Sequence, residues 1–143
     1  MSVLFDLKKE LKKHIDPVYQ KGSQNFFKED VKILGVRAGT LRKIGRQYYR
    51  EIKHLPKKQI FDLCEELLKP GYLEYNTVAF QWAYQIGSPH YQGGARGGFE
   101  KKDYARFESW LKKYVTNWAS CDDFCTHAFG ALINQYPELQ KKT

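Results

Sequence analysis

Apolar residues recur along the chain at helical spacing, and strand-like alternation does not appear. Leu4, Leu7, Leu11 and Ile15 form one stripe, with Lys8, Lys9, Lys12 and Lys13 on the wetter side. Asp16-Pro17 is expected to end that helix, because proline disfavours helical geometry in the residue before it. A short segment around Asn25, Phe26 and Phe27 follows, then an apolar stretch from Val31 to Val36. The next helix is predicted from about Thr40, an N-cap candidate, to about Ile52, with Leu41, Ile44, Tyr48 and Ile52 on its core face. Pro56 opens another at a position that tolerates proline. Its apolar set is Ile60, Cys64, Leu67 and Leu68, and Pro70-Gly71 ends it. Val78, Ala79, Trp82, Ala83 and Ile86 mark a further helix closed by Gly87. Phe107, Trp110, Leu111 and Tyr114 give one more, and Phe124, Ala128, Phe129, Leu132 and Ile133 the last.

Short helices joined by short turns predict an all-α fold of antiparallel helix pairs, stacked as an α-solenoid or superhelix. HEAT-type repeats run to roughly 40–47 residues, so about three fit in one domain spanning residues 1–143. The repeat is a matter of pattern, not identity, and a compact helical bundle is the structural alternative. Between the fourth predicted helix and the next, Ser88 to Gly98 is rich in glycine. It follows a helix and not a strand, which argues for a connector over a nucleotide-cradling loop, with Arg96 within it a candidate phosphate contact.

Composition adds charge to this picture. The 143 residues carry 24 Lys and Arg against 16 Asp and Glu, a formal net charge of +8, which points to a polyanionic partner. A lysine-rich solvated surface is the plainer reading. No apolar run is long enough to cross a bilayer, and the N-terminus lacks the basic-then-apolar pattern of a signal peptide, so a cytoplasmic protein is expected, nucleoid-associated if bacterial. Cys64 reads as a small core residue on a helical apolar face. Cys121 and Cys125 lie near His127, but the spacing matches no common zinc pattern and no metal is expected. Within a helix, Cys125 is expected to face the core.

Two constellations are candidates for function. In Gly35-Val36-Arg37-Ala38-Gly39-Thr40-Leu41-Arg42-Lys43-Ile44-Gly45-Arg46, the residues Arg42, Arg46 and Arg50 recur every fourth position and share one helix side, with Lys43 on the flank. Such a row can contact successive phosphates. Alternatively it is a solvated face balanced by acids such as Glu51. Arg37 and the small Gly35 and Gly39 favour a binding edge. In Thr116-Asn117-Trp118-Ala119-Ser120-Cys121-Asp122-Asp123, Ser120 and Asp123 resemble a capping pair, which would put Asp122 in a first helical turn and Trp118 just outside it. An aromatic face beside a fixed carboxylate can stabilise a cationic group. Packing for Trp118 and an ordinary helix-start role for Asp122 are the structural alternative.

Gly35-Val36-Arg37 followed by Leu41-Arg42, the segment Glu74 to Ala83, and Trp118-Ala119-Ser120-Cys121-Asp122 together resemble the DNA alkylation repair enzymes of the AlkC/AlkD-like group. Where that family often has proline, this chain has Gly39, and Ser88 to Gly98 is longer and richer in glycine than the usual connector. The resemblance implies HEAT-like repeats curved around a basic concave cleft. It implies a metal-independent, cofactor-free glycosylase that hydrolyses the N-glycosidic bond of cationic N-alkylated purines, such as 3-methyladenine and 7-methylguanine, in double-stranded DNA. It also implies that no deep pocket receives a flipped base. By position, Asp122 would be the catalytic carboxylate and Trp118 would pack on the lesion's sugar. The basic set read from spacing and charge, Arg37, Arg42, Lys43, Arg46 and Arg50, is then expected to hold the backbone of the DNA. A monomer is expected. Family members are longer, so the chain is expected to be an N-terminal portion of the family architecture, with later repeats completing the cleft. A non-enzymatic helical-repeat scaffold binding nucleic acid or protein, or a general DNA-binding module, are the competing functions.

Overall fold

A computed structural model describes residues 2–27, 30–87 and 98–142. The helices are α1 (Val3–Lys12), α2 (Pro17–Phe26), α3 (Ala38–Ile52), α4 (Lys57–Leu68), α5 (Leu73–Ile86), α6 (Asp103–Tyr114), α7 (Trp118–Thr126) and α8 (Ala128–Gln135), followed by a 3₁₀ turn, Pro137–Lys142. Extended pairing among the described residues is confined to one isolated parallel bridge, Lys32 with Tyr72. The fold is all-α, as expected. Apart from Gly98, the glycine-rich stretch with Arg96 lies outside the described residues.

α1 packs on α3, α3 and α4 on α5, α5 on α7 and α8, and α6 on α8. Phe61 of α4 meets Phe107 and Trp110 of α6 edge-on at 5.5 and 5.7 Å between ring centres. These contacts are compatible with helix pairs laid side by side around one continuous core. α5 is its centre. Val78, Ala79, Phe80, Trp82, Ala83 and Ile86 are all buried, and Phe80 stacks on Phe124 of α7 at 4.6 Å. Full burial of each such phenylalanine contributes about 1.5–3 kcal/mol. The two buried indoles keep their polar edges satisfied: Trp82 Nε1 donates to the Gly45 carbonyl at 2.9 Å and Trp110 Nε1 to Glu65 Oε1 at 2.8 Å. A Cβ at Gly45 would meet the end of the Gln81 side chain, which reaches across from α5 to α3.

Ahead of α3, Glu74 clamps the extended segment. Its carboxylate is buried and accepts from the backbone N–H groups of Leu34, Gly35 and Val36 at 2.9, 2.8 and 3.2 Å. Gly35 has φ +99°, a left-handed conformation that favours glycine, and a Cβ there would press on Gln20. Gly35 is therefore required by this turn.

Several expected boundaries move. Pro17 opens a helix instead of only ending one: Asp16 caps α2, its Oδ1 accepting from Val18 and Tyr19 N–H at 3.0 and 3.2 Å, and Pro17 takes the first position, where its missing N–H has no cost. Ile15 lies beyond α1 and is exposed. α3 begins before Thr40, with Arg37 at the cap position and no side-chain cap. α5 extends back to Leu73 and includes the Glu74 clamp. The last expected helix is two, broken at His127, whose φ −116° and ψ −90° leave helical geometry. Cys64 is buried as expected, whereas Cys125 is exposed beside Cys121, with their sulfurs 4.0 Å apart, and does not face the core.

Candidate nucleic-acid interface and active site

The start of α7 is set by Asn117. Its side-chain oxygen accepts the Ser120 N–H at 2.8 Å, and the helix begins at Trp118. This corrects the expected Ser120–Asp123 cap. Ser120 is a buried residue inside the helix, within 3.5 Å of Asn76 Nδ2. Trp118 is the first helical residue, not a residue outside. Asp122 lies one turn further on, beyond the first turn where the helix dipole acts on a carboxylate. What survives is the geometry of spacing: residues four apart share a helix side, and Trp118 and Asp122 are both exposed.

Trp118 does not stand alone. Its ring centre is 5.7 Å from that of Phe26 and 5.7 Å from that of Phe27, which are themselves 5.7 Å apart. These rings border a cleft of about 390 Å³ between α2, α3, α5 and α7, floored by Ile33, Val36 and Leu41 and flanked by Arg42.

Arg42 also borders a second cleft of about 280 Å³, with Thr77, Gln81 and Tyr84 of α5, Asp123 of α7 and His127 at the break after it. Gln81 in turn reaches a third, of about 310 Å³, where Arg46, Arg50 and Lys53 face Gln85. Shared residues thus join the three clefts into one groove along α3, α5 and α7, with Arg42, Arg46 and Arg50 along it. Among the described residues none of these arginines has a carboxylate partner within 4 Å, Glu51 included. Arg37 is placed differently. Its guanidinium pairs with Asp16 at 3.3 Å and lies over the Tyr19 ring at 4.9 Å, tying α2 to the start of α3. Lys43 is exposed and borders none of these three clefts.

The carboxylate that enters the groove beside Arg42 is Asp123, next to the expected Asp122. His127 Nδ1 lies 3.2 Å from its Oδ1 and 2.9 Å from its backbone carbonyl. Burial pushes the Asp123 carboxyl above its ordinary value, against the pull of His127, and the neighbouring Asp122 adds to the rise. Tyr84 meets the His127 ring edge-on at 5.7 Å. Sequence reasoning gave Asp123 only a capping role and Phe26-Phe27 none. Two adjacent phenylalanines outside any apolar stripe were the available signal. Among the described residues no group of three or more His, Cys, Asp or Glu side chains is arranged to hold a metal ion.

The described residues thus form an all-helical protein with a row of arginines that have no carboxylate partner among them and an exposed tryptophan and aspartate on successive turns of α7. The DNA alkylation repair enzyme family matches residues 7–143, nearly the whole chain. The chain belongs to that family, and membership supports a role in DNA repair, with DNA as the indicated partner. No curated protein and no solved structure matches it.

Proposed function

We propose that this chain binds duplex DNA along the α3–α5–α7 groove and releases N-alkylated purines, with Asp122 as the catalytic carboxylate and Trp118 packed against the lesion's sugar. The observation that carries the reading is the exposure of Trp118 and Asp122 on successive turns of α7, with Trp118 bordering the cleft that Arg42 flanks. Arg42, Arg46 and Arg50 hold phosphates without reading sequence. Alkylation has already placed positive charge on the purine. As the bond from the sugar C1′ to the base breaks, its electron pair leaves with the base and neutralises that charge. The sugar becomes electron-poor, and a carboxylate facing it stabilises the developing charge. Water then adds at C1′ and releases a proton, for which the same carboxylate is an acceptor. No metal or cofactor is needed for these steps.

Base release from methylated duplex DNA tests this. Asp122→Asn should slow release by about 10²–10³-fold, the usual cost of removing one group aimed at transition-state charge, while duplex affinity is kept. Asp123→Asn, measured beside it, separates the two adjacent acids, and a larger loss there would move the catalytic role to Asp123. A chain that binds duplex DNA and releases no base is the non-enzymatic helical-repeat scaffold instead.

A further inference from the structure

α7 ends at a break, and the break brings an imidazole to the groove. His127 leaves helical geometry there, and its side chain lines the cleft of about 280 Å³ together with Arg42, Gln81, Tyr84 and Asp123. One edge of the ring is held. Nδ1 lies 3.2 Å from Asp123 Oδ1, 2.9 Å from the Asp123 carbonyl and 3.1 Å from the Thr126 hydroxyl. A carboxylate and a carbonyl only accept, so Nδ1 carries a hydrogen and donates it. Nε2 is then the nitrogen that takes up a proton on acidification. No described residue bonds Nε2, and the side chain is 55% exposed.

The charge of the cleft turns on that proton. α3 contributes Arg42, α5 contributes the neutral Tyr84, and α7 contributes Asp123, with Asp122 the next acid along the helix. α8 carries no titratable residue. While the imidazole is neutral, the formal charges of Arg42 and Asp123 cancel. Once it is an imidazolium, it offsets Asp123 and leaves Arg42 free to attract an anion. A guanidinium and an imidazolium N–H lining one open cleft are the recognition elements of a phosphate.

We propose that Arg42 and protonated His127 together hold one phosphate of the DNA backbone in this cleft, with Asp123 positioning the imidazole. This rests on the reading that the groove binds DNA. It makes His127 an added cation of the groove, present only while it carries its proton. It gives Asp123 a part in binding and leaves base release to Asp122.

The test measures affinity for an unmodified duplex by fluorescence anisotropy at one salt concentration, at about pH 8 and about pH 5.5, across the range in which histidine changes charge. The native chain should bind about tenfold more tightly at the lower pH, the lower end of what a hydrogen bond to a charged group contributes. His127→Gln should bring that ratio close to one. The chain has four histidines, and the triple variant His14→Gln, His54→Gln, His90→Gln, which retains His127 alone, should keep the ratio. A second readout uses the native chain. If protonation favours binding, binding favours protonation to the same degree. Calorimetry at about pH 6.5 in two buffers of different ionisation heat should therefore show proton uptake with the duplex, absent in His127→Gln. A native ratio near one overturns the inference. So does a ratio or a proton uptake that survives in His127→Gln, which would assign the proton to a carboxylate. Should His127→Gln not fold, the triple variant decides: a ratio kept supports the inference and a ratio lost overturns it. Each overturning result, with duplex still bound, leaves the DNA reading intact. Failure to bind duplex at low salt at either pH overturns that reading and this one together.

Discussion

At Glu74 a single side chain accepts three backbone N–H groups from the segment that leads into α3. Removing it leaves three buried donors without partners, each costing about 1–3 kcal/mol. Glu74→Ala is therefore expected to lower unfolding stability by about 3 kcal/mol or more, read from the urea midpoint at unchanged slope. A loss under about 1 kcal/mol would mean that water replaces the carboxylate. This role was not legible in the sequence, because the partners lie about forty positions away and an acid at a helix start has a simpler local explanation. Cys64 was legible, since its place on an apolar stripe already fixes its side of the helix. Asp122 and Asp123 mark where such reading stops. Adjacent residues on a helix are about 100° apart, and which of them enters a groove depends on the angle at which α7 meets α5.

For whole helices, periodicity located α3, α4, α5 and α6 because each buries a stripe against a neighbour. It missed α2, which buries nothing and is held by its cap and by polar ties: Asp16 to Val18 and Tyr19, and the Gln20 and Gln24 side-chain amides donating to the carbonyls of Ile33 and Val31 at 2.9 and 2.7 Å. It also merged α7 with α8, since Phe124, Ala128 and Leu132 keep helical spacing across the break at His127. The ties between elements make acid stability specific. Asp16 is held below its ordinary value of 3.8 chiefly by the Tyr19 N–H, opposed by burial, with Val18 and Arg37 adding smaller pulls in the lowering direction. Asp62 is held below 3.8 chiefly by Arg106, which joins α4 to α6. Lowered carboxylates stabilise the fold above their unfolded value, and that contribution is lost as pH falls through the folded one. Asp123 is raised and has the opposite sign, its contribution improving as it takes up a proton on acidification. The melting temperature should fall on acidification below pH 3.8, and Asp16→Asn with Asp62→Asn should flatten that fall. An unaltered acid limb in the double variant would show that these ties carry no net stability.

Over the whole molecule, the net charge of +8 indicates a polyanion but says nothing of where it lies. The fold divides the cations by partner. Lys57 is held by Glu100 and Asp103 at 2.6 and 3.0 Å, Arg106 by Asp62 at 2.7 Å, and Arg37 by Asp16, whereas Arg42, Arg46 and Arg50 line the groove without such partners among the described residues. Each cation that neutralises a phosphate releases condensed counterions and adds about 0.9 to the slope of log affinity against log salt. The three groove arginines should together give a slope close to −3 on duplex DNA, with each single alanine variant removing roughly 0.9 of it. Arg37→Ala should change the slope less, because its guanidinium already has a partner in Asp16. Measuring affinity from about 50 to 200 mM salt for these four variants locates the DNA on the protein without a complex structure. Slopes that fall with Arg42, Arg46 and Arg50 place the backbone along α3 and bring the strand past Trp118 and Asp122. Slopes indifferent to all three would put the DNA on another face, and the carboxylates of α7 would then have no sugar to act on.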